Sequence, residues 1–170
     1  GTNNVSLLAS FGLTDAGNIK AAKVSLWRDL AKAGLGVASC VNTPVRNSGD
    51  STVDARCTSI RQDLVTWQRD GAPWNVATGS PVAVGTTGPN ISRCLVLRPD
   101  LSVRTQASGP QHPVAVMFDT GGAVDVSGSN QWAAGMAADD VHPSSAGAQA
   151  MANAIATSVF RQEPPIYSGA

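Results

Sequence analysis

Charge is scarce in this chain. Of its 170 residues, 12 are Lys or Arg and 12 are Asp or Glu, 14% in all, with zero formal net charge, against roughly 25% charged residues in an average soluble domain. With no excess of either sign, the long-range attraction that draws proteins to nucleic acid or anionic lipid is missing, so nucleic acid is not expected as a partner. The same shortage, alongside abundant Gly, Ala, Ser and Thr, leans towards an extracellular or virion-associated setting. Cysteine is sparse too. Cys40, Cys57 and Cys94 include no C-x-x-C spacing, which disfavours a zinc cluster and permits at most one internal disulfide. No apolar run approaches the ~18–20 residues that span a bilayer, and the chain opens without the basic-then-apolar layout of a signal peptide.

What is present reads as a single domain over residues 1–170, a length sufficient for one sizeable core. The opening Gly1-Thr2-Asn3-Asn4 and the stretch from Phe11 to Asn18 are turn-like. From Ile19 to Ala33, apolar residues recur at helical spacing, with Ala22, Leu26, Leu30 and Ala33 on the inner face beside Ile19 and Trp27, and Gly34 as the stop. Leu35–Val41 predicts a buried strand ended by Asn42-Thr43-Pro44, with Cys40 in the core. A second helix is expected over 52–69, capped by Asp50 or Ser51, with Ile60, Leu64 and Trp67 inward. Residues 75–110 read as an irregular insertion, with Val82-Ala83-Val84 and Leu95-Val96-Leu97 as short strand candidates. Pro113–Phe118 is another compact apolar strand. Ser144–Phe160 predicts a final helix with Met151, Ile155 and Val159 on one side. Helix, strand, helix, strand, helix is the order of an α/β protein with a parallel sheet. Two visible core strands cannot bury both faces of such a sheet, so either further strands lie within 75–110 or part of the fold is missing.

One of only two histidines, His142, stands in a loop directly before the final helix, three residues after Asp139. A histidine that takes a proton from a hydroxyl needs its far ring nitrogen held by an acceptor, and a carboxylate on the same short loop can hold it. The competing reading is that Asp139 and Asp140 charge and cap the start of the last helix, with His142 merely exposed.

The longer string Asp139-Asp140-Val141-His142-Pro143-Ser144-Ser145-Ala146-Gly147, followed by Met151-Ala152 and Ile155, resembles the last block of the SGNH (GDSL-type) hydrolases. In that family an Asp-x-x-His-Pro loop opens the C-terminal helix and supplies two members of a Ser-His-Asp triad. The resemblance implies Asp139 as triad acid and His142 as general base. Gly1-Thr2-Asn3-Asn4 is similar to the family's Gly-x-Asn-Asp block, which implies Asn3 as the amide donor to the oxyanion, although Asn4 departs from the usual Asp. The implied fold is a three-layer α/β/α flavodoxin-like sandwich with a parallel sheet, lacking its N-terminal strands in this chain. The implied activity is hydrolysis of an ester by acyl transfer, of esterase, lipase or carbohydrate-deacetylase type. An acetylated polysaccharide or a lipid would be the substrate, with no metal or organic cofactor.

The family's nucleophile precedes the Gly-x-Asn block, and here nothing precedes Gly1. The expectation is therefore an N-terminal fragment carrying the serine. Gly49-Asp50-Ser51 has the right letters but follows what would be the fourth strand and runs straight into a helix, so capping is its expected role. Ser51 as nucleophile in a rearranged order is the alternative. Cys57 and Cys94 could pair. His112 reads as structural, and Trp132 as either a pocket wall or a packing aromatic. A non-catalytic carbohydrate-binding or structural module, such as a virion or cell-surface component on the same fold, is the rival from another class.

Overall fold

A computed structural model describes residues 2–35, 37–46, 49–98, 115–126, 128–139 and 141–159. Its elements run α1 (Thr2–Ser10), α2 (Gly17–Lys32), β1 (Ala38–Cys40), α3 (Ser51–Arg69), β2 (Pro73–Asn75), β3 (Ser80–Pro81), β4 (Ile91–Arg93), β5 (Leu95–Arg98), β6 (Ala115–Phe118) and α4 (Ser145–Val159). This is a mixed α/β chain. Its main sheet has the order β1-β6-β5, with both pairings parallel. Strands β3, β2 and β4 form a small antiparallel sheet beside it.

α3 organises the core. Asp50 caps it as the sequence predicts, its side chain accepting from the Thr52 and Val53 N–H groups at 2.8 and 3.1 Å. Cys57, Ile60, Leu64, Val65 and Trp67 form its buried stripe, and Met117 of β6 joins the same cluster. The chain turns out of α3 at Gly71, which has φ +85° and where an added Cβ would crowd the Leu95 carbonyl at 3.2 Å. That close approach allows the Gly71 carbonyl to accept from Leu95 N at 3.0 Å, tying the end of α3 to the start of β5.

Several expectations are corrected. Thr2, Asn3 and Asn4, expected in a turn, instead open the helix α1, which packs on α3 and buries Val5 and Ala9. α2 buries Ile19 and Trp27 as expected, but it adds Val24 and leaves Ala22, Leu26 and Ala33 exposed. The reason is aromatic stacking. Trp27 lies against Trp67 with ring centroids 6.0 Å apart, and Lys20 pairs with Asp63 at 2.6 Å. Together these roll α2 towards α3 and leave Leu7, Leu8, Ile19, Ala22 and Leu26 to line an apolar groove between α1 and α2.

Cys40 is exposed, because a three-residue strand alternates its faces and it is Ser39, opposite Met117, that points inward. Val82–Val84 forms no strand; the short pairing there is made by Ser80–Pro81. Leu95–Leu97 belongs to the parallel sheet rather than to an insertion, which supplies the third strand that the pattern left open. Cys57 and Cys94 are both buried and both free. Burial pushes the Cys94 thiol up to about 12 and raises that of Cys57 as well, so neither is a thiolate at neutral pH. Among the described residues no helix is long and apolar enough to cross a membrane.

Candidate functional site

The polypeptide leaves β6 at Phe118 and reaches α4 at Ser145 through an irregular loop. Loops of this length are uncommon in compact domains unless they carry function. Its first part is held by side chains. Asp119 takes a two-pronged bond from Arg69, 3.1 Å from both Nε and Nη2. The Thr120 hydroxyl donates to the Val41 carbonyl at 2.9 Å. Arg61, whose side chain is 1% exposed, donates to the equally buried carboxylate of Asp125 and, through Nε and Nη2, to the Asn42 carbonyl at 3.1 and 2.9 Å. Desolvation lowers the guanidinium pKa and Asp125 opposes that shift. Asn130 is also buried. Its amide nitrogen donates to the Val45 carbonyl at 2.8 Å and its amide oxygen accepts from Val45 N at 3.2 Å.

Sequence reasoning missed this polar group. A signal was present, because Arg61 interrupts the apolar stripe Cys57, Ile60, Leu64, Val65, and a charge at such a position has to be paired to be buried.

The second part of the loop holds the Asp139–His142 pair. Asp139 Oδ1 accepts from Val141 N at 2.7 Å and from His142 N at 2.6 Å, which closes a tight turn. Its other oxygen, Oδ2, lies 2.8 Å from His142 Nδ1. Hydrogen bonding to the ring of His142, then to the two backbone N–H groups, holds the Asp139 carboxyl down at about 2. An ionised carboxylate can only accept, so Nδ1 must carry the proton and donate, and in the neutral ring Nε2 is left as the acceptor. That is the tautomer a general base requires.

Both side chains are open to solvent, Asp139 at 57% and His142 at 73% exposed, so Nε2 is accessible. Among the described residues it has no hydrogen-bond partner.

The alternative role of Asp139 as cap of α4 is not what the structure shows. Ser144 does that, its hydroxyl accepting from Gly147 N at 3.1 Å while donating to the Gly135 carbonyl at 2.6 Å. Gly147 seats the helix against the loop: a Cβ there would stand 2.0 Å from the Met136 carbonyl. Asp140 lies outside the described residues, as does His112.

Of the other candidates, Ser51 is the exposed first residue of α3, and no hydrogen bond joins it to His142 among the described residues. The cap at Asp50 accounts for the Gly49-Asp50-Ser51 string. Asn3 falls in the first turn of α1, with its side chain outside the described residues. Trp132 is half-buried and its backbone bridges to Asp125. Among the described residues, no His, Cys, Asp and Glu cluster is arranged to hold a metal ion.

Compared with models of known families, with curated proteins and with solved structures, the chain matches none. What can be said of its chemistry rests on the site itself.

Proposed function

We propose that this chain carries the base and orienter of a serine ester hydrolase of the SGNH type, acting by acyl transfer. The observation that supports it is the 2.8 Å contact between Asp139 Oδ2 and His142 Nδ1, with Asp139 Oδ1 occupied by two backbone N–H groups and His142 Nε2 open to solvent. In this reading a serine hydroxyl gives its proton to Nε2 as its oxygen attacks the ester carbonyl, and Asp139 stabilises the imidazolium that forms. The same proton then passes to the leaving alkoxide. Water repeats the sequence to release the acid and free the serine. Asn3, in the first turn of α1, is the donor to the oxyanion. In this reading the serine comes from outside the described residues. Among the described residues β1 forms an edge of the sheet and leaves Ala38 and Cys40 exposed, whereas parallel strands are ordinarily covered on both faces, which leaves a place for a further segment.

The test is hydrolysis of a short p-nitrophenyl ester by a sample shown by intact mass to contain every fragment, with His142→Ala as the control. Turnover that disappears in the control supports the reading. Turnover equal in both removes His142 as the base, and none in either removes the reading in favour of a non-catalytic binding or structural module. Fluorophosphonate labelling followed by peptide mapping then locates the nucleophile, and a tag on Ser51 would show that the rearranged order is used.

A further inference from the structure

The contacts of Asp139 with His142 lie within one turn, so they fix the pair internally but not where it stands in the molecule. Placement has to come from the rest of the loop. Backbone bonds link the two parts: Ala133 N donates to the Val124 carbonyl at 2.8 Å, Met136 N to Ala133 at 2.9 Å, Ser144 N to Met136 at 2.9 Å and Ala138 N to His142 at 2.9 Å. The first part is in turn strapped to α3 and to the segment after β1. Asp125 is at the junction. One carboxylate oxygen meets Arg61 and the other accepts from Gln131 N at 3.2 Å, while its backbone bridges to Trp132. Arg61 extends the same strap to the Asn42 carbonyl, just beyond the C-terminal end of β1.

We propose that Arg61 and Asp125 are positioning residues, which set the place and orientation of the Asp139–His142 pair relative to the parallel sheet. The geometric part stands by itself; its effect on turnover rests on the acyl-transfer reading. A pair that is intact but displaced should bind substrate normally and react slowly, since displacement by about 1 Å can cost on the order of 10²-fold in rate.

The decisive variant is the double replacement R61M/D125L in the full chain, which removes both charges and leaves neither buried alone. Residual dipolar couplings of backbone N–H groups are compared with those of the unaltered protein. We expect the couplings of α3 to be retained and those of Ala133, Ala138, Val141 and His142 to change, with the hydrogen-bonded Nδ1 proton of His142 still present. In the ester assay kcat should fall at least ~10-fold with KM within about twofold, and D125E, which keeps the charge, should recover part of it. Couplings that superimpose throughout a folded double variant overturn the proposal, as does an unchanged kcat.

If the unaltered protein shows no ester turnover dependent on His142, the acyl-transfer reading fails while the couplings still decide the positioning. Should the double variant not fold, native-state hydrogen exchange on the unaltered chain decides instead. The amides of Gln131, Ala133, Ala138 and Ser144 should open together with a shared denaturant dependence, and independent opening of the last two overturns the inference.

Discussion

Two carboxylates of the same loop, Asp125 paired with Arg61 of α3 and Asp139 paired with His142, have opposite surroundings. Arg61 and Asp125 are 1% exposed; Asp139 and His142 are more than half exposed. In the first pair each charge is out of water and depends on its partner, so the contact is part of the fold. In the second, water already solvates both groups, so the contact adds little to folding; what it does is fix a tautomer and hold one ring nitrogen towards solvent. The difference separates a contact that is needed to keep the structure from one that is available to a substrate.

The sharpest way to break the comparison is to remove one partner from each pair. Arg61→Ala or Asp125→Ala leaves a buried charge without its counter-ion and should cost about 3–5 kcal/mol in urea unfolding. Asp139→Ala and His142→Ala should move the unfolding midpoint far less. Equal losses at both sites would erase the distinction. The order reverses when ester turnover is measured. Asp139→Asn keeps the shape but no longer holds His142 as an anion does, and should lower kcat by about 10²- to 10⁴-fold. Between the two lies Gly147→Ala. Its new methyl would meet the Met136 carbonyl, so the start of α4 and the loop must separate, at about 1–3 kcal/mol of stability. Turnover should fall with it, because that contact seats the turn containing His142.

Much of this was legible in the sequence, for identifiable reasons. The cap at Asp50, the stripe of α3 and the helix from Ser145 follow from local rules of spacing and hydrogen bonding, which operate whatever surrounds them. The turn at Asp139 was legible for the same reason, since its bonds span three residues. α1 was not, because Gly, Thr and Asn at its start signal a turn, and the packing of Val5 and Ala9 on α3 overrides that preference. Nor was the roll of α2, whose inner face is chosen by Trp67, 40 positions away from Trp27 (67 − 27). The Arg61–Asp125 contact joins residues 64 apart, and only the unexplained charge within an apolar stripe hinted at it.

The smallest expected effect sharpens the comparison furthest, because it measures the exposed pair without altering it. The Asp139 carboxyl is held at about 2, below the ~3.9 of an unperturbed Asp. For a group whose pKa is depressed in the folded state, the stabilising contribution is complete above the ordinary value and disappears as pH falls through the folded value. The turn should therefore keep its geometry from neutral pH to about 4, and lose it progressively towards about 2. Amide shifts of Val141 and His142, whose N–H groups both donate to Asp139 Oδ1, should titrate together with a midpoint near 2. A midpoint near 4 for Val141 and His142 would mean that Asp139 is not held by His142, and the case for a preset general base would lose its main support.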